Sequence, residues 1–289
     1  MSRVVAITGA SGTLGRRLVA ELARRGDDVW ALVRKPEAFA IPGVRVARCD
    51  LPDVLDASAL AGADAVVHCA YGTKTTDLAE ARRVNEDGTR RILDASRRAG
   101  VRRFVFVSTI AADPAAPSYY GRSKAALEAL CDPTHDAIVR PGLIIARDGQ
   151  GVFQSMRDAV RNTHVVPLFD GGRQLVQTVH VDDVCAAIAR VLDRDLTGAF
   201  NVAEPDPMTL KPFLRLMAAR LQVRCLLVPL PFRPVLAAVK AIEAIGLPFP
   251  LRSESLLGLS GLRSVPVAAD LARLDLRVRS AEESLADAL

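Results

Sequence analysis

The first apolar run, Val4 to Thr8, leads straight into GASGTLG, and an amphipathic stretch, LGRRLVAELARRG, follows without a break. A buried strand, a glycine-dense turn and a helix in that order leave few packing solutions. Gly9 suits a tight turn, Gly12 keeps the backbone open to a ligand, and Gly15 lets the helix lie close against the strand. The same alternation continues downstream. Strand-like runs at 28–33, 44–49, 65–70, 103–108 and 137–142 are separated by TRRILDASRRAG and SKAALEAL, whose apolar residues recur at helical spacing. Gly26 and Gly100 stand where helix C-caps belong. The pattern predicts an α/β fold built as a doubly wound parallel sheet.

Beyond about Arg147 the alternation loosens, with Pro and Gly clusters at PLFDGG (167–172), EPDP (204–207), PLPFRP (229–234) and LPFP (247–250). Residues 1–150 therefore read as a dinucleotide-binding Rossmann domain. Residues 151–289 read as a mixed segment, partly returning to the sheet and partly forming a small substrate-binding lobe. Within it PVLAAVKAIEAIG (234–246) is a helical pattern between prolines. Its apolar face could pack in the lobe, close the pocket or touch a membrane surface.

A net charge of +5 invites a nucleic-acid reading, but the arginines fall in scattered pairs along helical patterns, from Arg16-Arg17 to Arg102-Arg103. Solvated helix faces account for them, and a basic strip for a polyanionic small molecule comes next; no nucleic-acid partner is expected. Half the residues are hydrophobic and 4% aromatic, enough for a large core of Ala, Val and Leu. The five cysteines show neither C-x-x-C nor metal-ligand spacing, so Cys49, Cys69 and Cys185 are expected as reduced core thiols and no metal site is predicted. Because Val4 to Ile7 leads straight into the glycine turn, no signal peptide is expected. The longest apolar stretch, 234–251, is broken by Lys240, Glu243, Gly246 and prolines, so no stable membrane insertion and a cytoplasmic location are expected.

The glycine turn itself points to a dinucleotide pyrophosphate held by backbone N–H groups at a helix N-terminus, with Ser11, Thr13 and Leu14 completing the cradle. NAD-binding versions of this turn place a carboxylate at the end of the second strand, for the ribose hydroxyls. Here that strand ends WALVRKP, offering Arg34 and Lys35 instead. A guanidinium suits a 2′-phosphate, so NADP(H) is favoured over NAD(H); the alternative is a solvent-facing basic turn.

The ordered set TGxxGxxG, Asp50-Leu51, HCA (68–70), VNEDGT (84–89), FVFVST (104–109), SYYGRSK (118–124), RPG (140–142) and VHVDDV (179–184) resembles the short-chain dehydrogenase/reductase superfamily. More narrowly it resembles the extended, epimerase/dehydratase-like branch, over roughly residues 3 to 205. The resemblance implies Tyr120 as acid/base, Lys124 as its helper and Thr109 hydrogen-bonding the substrate oxygen. Asp50 and Leu51 would meet the adenine, Ala70 would border the dinucleotide, and Asn85 and Pro141 would lie at the nicotinamide end. It also implies a homodimer formed through the helices at 81–100 and 123–130.

Spacing supports the pair independently. Tyr120 and Lys124 are i and i+4 and share a helix face, while Tyr119 is turned by about 100°. A phenol of ordinary pKa about 10 needs help to act near neutrality; a nearby ammonium and the positive nicotinamide ring are expected to favour phenolate.

Two features depart from the branch. Thr109 stands where serine is commoner, with Ser108 as the fallback hydroxyl. The arginine that grips diphosphate in sugar-nucleotide enzymes is missing from LVQTV (175–179), and Arg173 could substitute only by another route. His180, Asp182 and Asp183 read as structure, with Asp182 or Asp183 capping the helix VCAAIARVL, and His68 reads as a packed, hydrogen-bonded residue lining the cofactor cleft.

The resulting expectation is an NADP(H)-dependent oxidoreductase acting on a small-molecule carbonyl/hydroxyl pair. Its alternatives are an NAD-dependent epimerase/dehydratase of a sugar nucleotide and a non-catalytic dinucleotide-binding protein.

Overall fold

Strand β1 (Val4–Thr8) lies near the middle of an eight-stranded sheet in the computed structural model, which describes residues 2–73, 75, 77–247 and 251–289. With it run β2 (Asp28–Val33), β3 (Arg45–Asp50), β4 (Val54–Leu55), β5 (Ala65–His68), β6 (Arg103–Val107) and β7 (Ala137–Pro141). Three two-stranded pairs follow from β8 (Leu143–Ile145), β9 (Val165–Phe169), β10 (Leu175–Val176), β11 (Thr178–His180), β13 (Met208–Thr209) and β14 (Leu226–Leu230), namely β8 with β11, β9 with β14 and β10 with β13. β12 (Gly198–Val202) instead returns to the main sheet, pairing parallel to β7 with Ala137 opposite Gly198 and Pro141 opposite Val202.

The sheet order is β12-β7-β6-β5-β1-β2-β3-β4, parallel throughout except for the β3–β4 pair. From β1 the chain winds outward one way through β2 and β3, then reverses to β5 on the other side. In open sheets of this kind that reversal is where ligands bind, beyond the carboxyl ends of the strands.

Both sheet faces are covered, so the inner strands are apolar almost continuously. The period of two still divides them. Val5 and Ile7 enter one core with Leu18, Leu22 and Ile188, while Ala6, Phe104 and Phe106 enter the other with Ile92 and Leu127. The first core is roofed by α1 (Thr13–Arg24) and α6 (Val181–Asp193). The second is covered by the rod formed by α2 (Leu78–Arg82), a π turn (Arg83–Asp87) and α3 (Gly88–Arg98), with α4 (Tyr119–Glu128) beside it.

A third apolar cluster joins α5 (Val152–Thr163), α7 (Leu210–Arg220) and α11 (Ala281–Ala288) around Phe153, Phe213 and Leu285. A fourth, smaller one packs Phe169 with Val239 of α8 (Phe232–Ala244) and Leu256 of α9 (Ser253–Ser260); α10 (Ala268–Leu274) lies against the edge strand β12. The helical pattern at 234–246 forms as expected, one-sidedly buried. Three residues of the LPFP cluster, 248–250, lie outside the described residues. Among the described residues no helix is long and apolar enough to cross a membrane.

One detail differs from the sequence expectation. Helix α6 begins at Val181, ahead of the expected Asp182 or Asp183 cap, and its N-cap is His180, whose Nδ1 accepts from the Asp182 backbone N–H at 3.2 Å. Asp182 and Asp183 sit in the first turn, where the helix dipole welcomes them, and pair with Arg17 and Arg279.

Candidate dinucleotide and proton-transfer site

The glycine turn forms at the switch point. Gly9 has φ +65°, and a Cβ there would stand 2.7 Å from the Ala70 nitrogen; a Cβ at Gly15 would stand 2.3 Å from the Gly9 carbonyl oxygen. Side chains at either place would push apart the β1 turn, the end of β5 and the start of α1. Gly12 is the N-cap of α1, no side chain caps that terminus, and no acidic residue occupies the first turn. Backbone N–H groups therefore remain for an anion, so the cradle fits a pyrophosphate. Ser11 is exposed beside it. Leu14 has its side chain buried in the core and offers only its backbone, and the Thr13 hydroxyl is tied to both the N–H and the carbonyl of Gln150 at 2.9 Å.

Arg34 and Lys35 are exposed at the carboxyl end of β2 and make no ion pair among the described residues. Arg16, which sequence reasoning passed over as one of many paired arginines, stacks 5.4 Å from the centre of the Phe39 ring, on the same rim. Asp50 ends β3, half-buried, and Leu51 packs against Gly88.

Behind the cofactor cleft runs a buried chain of hydrogen bonds. The Ala70 N–H donates to the Thr8 hydroxyl at 3.3 Å, and that hydroxyl bonds His68 Nδ1 at 2.6 Å. His68 Nε2 meets the Thr89 hydroxyl at 3.0 Å, and Thr89 donates to the Asn85 carbonyl at 2.6 Å. Because Thr89 spends its proton on Asn85, His68 is the donor at Nε2 and the acceptor at Nδ1, a neutral imidazole. Burial, with Lys124 adding to it, depresses its pKa to about 3. His68 is thus the packed residue expected from its strand-end position. Asn85 clamps Gly72, accepting its N–H at 2.6 Å and donating to its carbonyl at 3.0 Å, so its side chain holds the loop after β5.

Ser118 caps α4 by accepting from the Gly121 N–H, which sets the two tyrosines at the helix start. They separate as the helical spacing requires. Tyr119 donates to Glu86 at 3.3 Å, and its N–H is taken by Glu254 of α9. Tyr120 opens to the cleft, 37% exposed though ringed by protein atoms. Thr109, at the end of β6, is the hydroxyl brought to the Tyr120 phenol, while Ser108 is buried with its hydroxyl unpartnered.

Lys124 is almost wholly buried and donates to the Val107 carbonyl at 2.7 Å, its ammonium 4.6 Å from the Phe106 ring centre. Burial lowers it to about 8. Close packing of protein around the phenol raises the Tyr120 pKa, only partly opposed by Thr109. Without a cofactor Tyr120 is a neutral phenol.

Sequence reasoning missed Tyr71 entirely. It follows β5, packs edge-on against Tyr120 and lies under the Lys124 ammonium; being the third of three tyrosines in an aromatic-poor chain was the available signal. At the start of α6, His180, Asp182 and Asp287 bring ligand-type atoms within 4.8 Å of one another. The arginines Arg17 and Arg279 reach into that group, and His180 Nε2 pairs with Asp287 at 3.0 Å, so the cluster fastens α11 to α6 and α1.

The sequence profile of the NAD-dependent epimerase/dehydratase family matches residues 5–203. The chain is 32% identical over 267 residues to a 4-hydroxy-2-methyl-3-oxo-4-farnesyl-3,4-dihydroquinoline-1-oxide ketoreductase of Stigmatella aurantiaca, covering 83% of this chain and 79% of that one. It is 33% identical over 251 residues to the ceramide reductase of Caulobacter vibrioides, covering 83% and 78%. The chain spans 66% to 79% of the length of the first three curated relatives. In fold it is similar to MoeE5 in complex with UDP-glucose and NAD, with a TM-score of 0.75 at 23% identity over 98% of this chain and 96% of that one.

Proposed function

Because the chain belongs to the NAD-dependent epimerase/dehydratase family, whose members bind NAD(H), we propose that it is an NADP(H)-dependent reductase of a carbonyl substrate. The observation that carries this reading is the buried Lys124, one helical turn on from the cleft-facing Tyr120, whose ammonium fastens α4 to the Val107 carbonyl at 2.7 Å, two residues before Thr109.

The α1 amides from Gly12 to Gly15 would take the pyrophosphate, and Arg34 and Lys35 the 2′-phosphate. Asp50 and Leu51 would lie at the adenine, and Ala70, Asn85, Lys124 and Pro141 at the nicotinamide end. NADPH held there supplies the hydride. Thr109 orients the carbonyl oxygen, and Tyr120 gives that oxygen its phenolic proton as negative charge gathers on it. The raised pKa of Tyr120 suits this direction, since the group is protonated at neutral pH and ready to donate. Lys124 then stands beside the phenolate left behind and stabilises it.

Two relatives, 32% and 33% identical, are both named as reductases, which favours net reduction of an exchanging substrate. The sugar-nucleotide reading fits less well. In the segment before His180, Val176 is wholly buried in an apolar cluster, and Gln177 is consumed in hydrogen bonds to Glu204 and Val265. No cation is offered there. Residues 151–289 would supply the substrate lobe, and α3 and α4 a homodimer interface.

The test combines Tyr120→Phe with titrations of NADPH and NADH. Turnover should fall by about 10²–10⁴-fold while NADPH affinity stays within about twofold, since only the phenolic oxygen is removed. Equal loss of both ends the assignment of Tyr120. Tightly held NAD, identified by mass spectrometry after denaturation, would replace the exchanging reductase with an internal redox cycle.

A further inference from the structure

Tyr71 stands three residues beyond the end of β5, where its ring meets both members of the proton-handling pair. The Lys124 ammonium lies 4.5 Å from its ring centre, and the Tyr120 ring meets it edge to face, 5.2 Å between centres with 88° between planes. Its hydroxyl is 2.5 Å from the Ser123 hydroxyl. Ser123 donates its own proton to the Tyr120 carbonyl at 3.1 Å, so Tyr71 is the donor in that contact. The backbone on either side is equally fixed. Ala70 is bonded to Thr8, and Gly72 is held at both N–H and carbonyl by Asn85.

A ring fastened at its tip and at both flanking peptides cannot be a loosely placed side chain. Its face attracts an ammonium more strongly where water is excluded, and Lys124 is 4% exposed. Its contact with Tyr120 has the edge-to-face geometry that aromatic pairs prefer. Burial raises the Tyr71 hydroxyl far above its ordinary value, which keeps it a donor and not a competing base.

We propose that Tyr71 is a positioning residue that holds the Lys124 ammonium over its ring face and the Tyr120 ring in a perpendicular aromatic contact. It is locked in place through Ser123 and the Asn85-clamped Gly72. The inference rests on Tyr120 and Lys124 acting as the proton-handling pair. It adds that the pair is pre-arranged from β5, outside its own helix. Tyr71 touches no reacting atom; it acts through the two residues that do.

The test has one readout that needs no turnover. In cofactor-free protein labelled with ¹⁵N-lysine, the Lys124 ammonium resonance, assigned by its loss in Lys124→Met, is followed across pH. Tyr71→Leu keeps the site dry but removes the ring's attraction, so the midpoint should fall by about half to one pH unit. Tyr71→Phe keeps the ring face and should keep the midpoint. With NADPH and a carbonyl substrate that the wild type reduces, Tyr71→Leu should lower kcat by about tenfold or more, leaving KM within about twofold.

An unmoved midpoint together with an unmoved kcat in folded Tyr71→Leu overturns the proposal. Should Tyr71→Leu fail to fold, Tyr71→Met is read in its place by the same criteria. If Tyr120→Phe retains full turnover, the assignment of Tyr120 as proton donor fails instead, and the ammonium titration still reports whether Tyr71 holds Lys124.

Discussion

Lys124 donates its ammonium to the carbonyl oxygen of Val107 at 2.7 Å, the residue just before Ser108 and Thr109. The α4 lysine is therefore tethered to the end of β6, which ties the helix carrying Tyr120 to the strand carrying Thr109. That tether buries a cation.

The stability cost of the buried cation is testable. Burial takes Lys124 from an ordinary 10.5 to about 8. Below pH 8 both the folded and unfolded states carry the charge and the fold bears the full penalty. As pH rises from 8 towards 10.5 the folded state sheds its proton first and the penalty fades. Lys124→Met should therefore raise stability at pH 7 by roughly 2 kcal/mol while turnover collapses. Urea unfolding at pH 7 and pH 9.5 checks this, and a less stable variant at pH 7 refutes it.

His68 makes the opposite demand on acid. Its folded pKa, about 3, lies below the ordinary 6.5. Its contribution is whole above pH 6.5 and is lost as pH falls from 6.5 towards 3, because the unfolded chain takes the proton first. The wild type should lose a few kcal/mol over that window. His68→Gln should be less stable at pH 7, with a flatter acid limb in thermal melts. Parallel acid limbs for the two proteins would remove His68 as the cause.

Cofactor choice should follow the cations at the end of β2. Replacing both Arg34 and Lys35 with Ala should weaken NADPH binding by about 10–100-fold, as expected for lost charge-assisted contacts, with NADH affected less than about threefold. Calorimetric titration of both dinucleotides decides it. Equal weakening would show the pair to be a general basic rim.

Gly15 tests the cradle sterically. An added methyl would lie 2.3 Å from the Gly9 carbonyl oxygen and 2.9 Å from Ala10 Cα. Gly15→Ala should lower stability by about 1–3 kcal/mol and weaken either dinucleotide by more than tenfold. The same change at Gly26 meets nothing within 4 Å, but its φ of +90° imposes a backbone cost alone. Gly26→Ala should lose some stability and keep its cofactor, and a matching loss of cofactor binding would show that the cradle is not what the Gly15 methyl disturbs.

Much of the fold was readable because the periods of the sequence coincide with its burial. The strand at 28–33 runs over the residues its apolar pattern marks, and Gly26 and Gly100 take positive φ just beyond their helices. The helical offset between Tyr119 and Tyr120 was likewise local, and the structure sends one to Glu86 and the other to the cleft. What escaped was set by tertiary contact. Nothing near Tyr71 in the chain announces Lys124, 53 positions on, as its partner. The N-cap of α6 was misplaced by propensity, since Asp outranks His as a cap, but burial and Arg279 hold the His180 ring where its Nδ1 can serve.

The π turn at Arg83–Asp87 makes the rod from Leu78 to Arg98 one residue out of phase with itself. Each residue of an α-helix advances the rotation by about 100°, so a single surplus residue re-aims everything upstream of it relative to everything downstream. Ile92 and Leu93 can thus face the core while Asn85 faces Gly72 and Glu86 faces Tyr119. The rod works as a fixed angular offset between its structural half and the half that meets the cleft. Deleting one residue there would leave a regular helix one residue shorter, with its cleft-facing side chains dialled away from their targets.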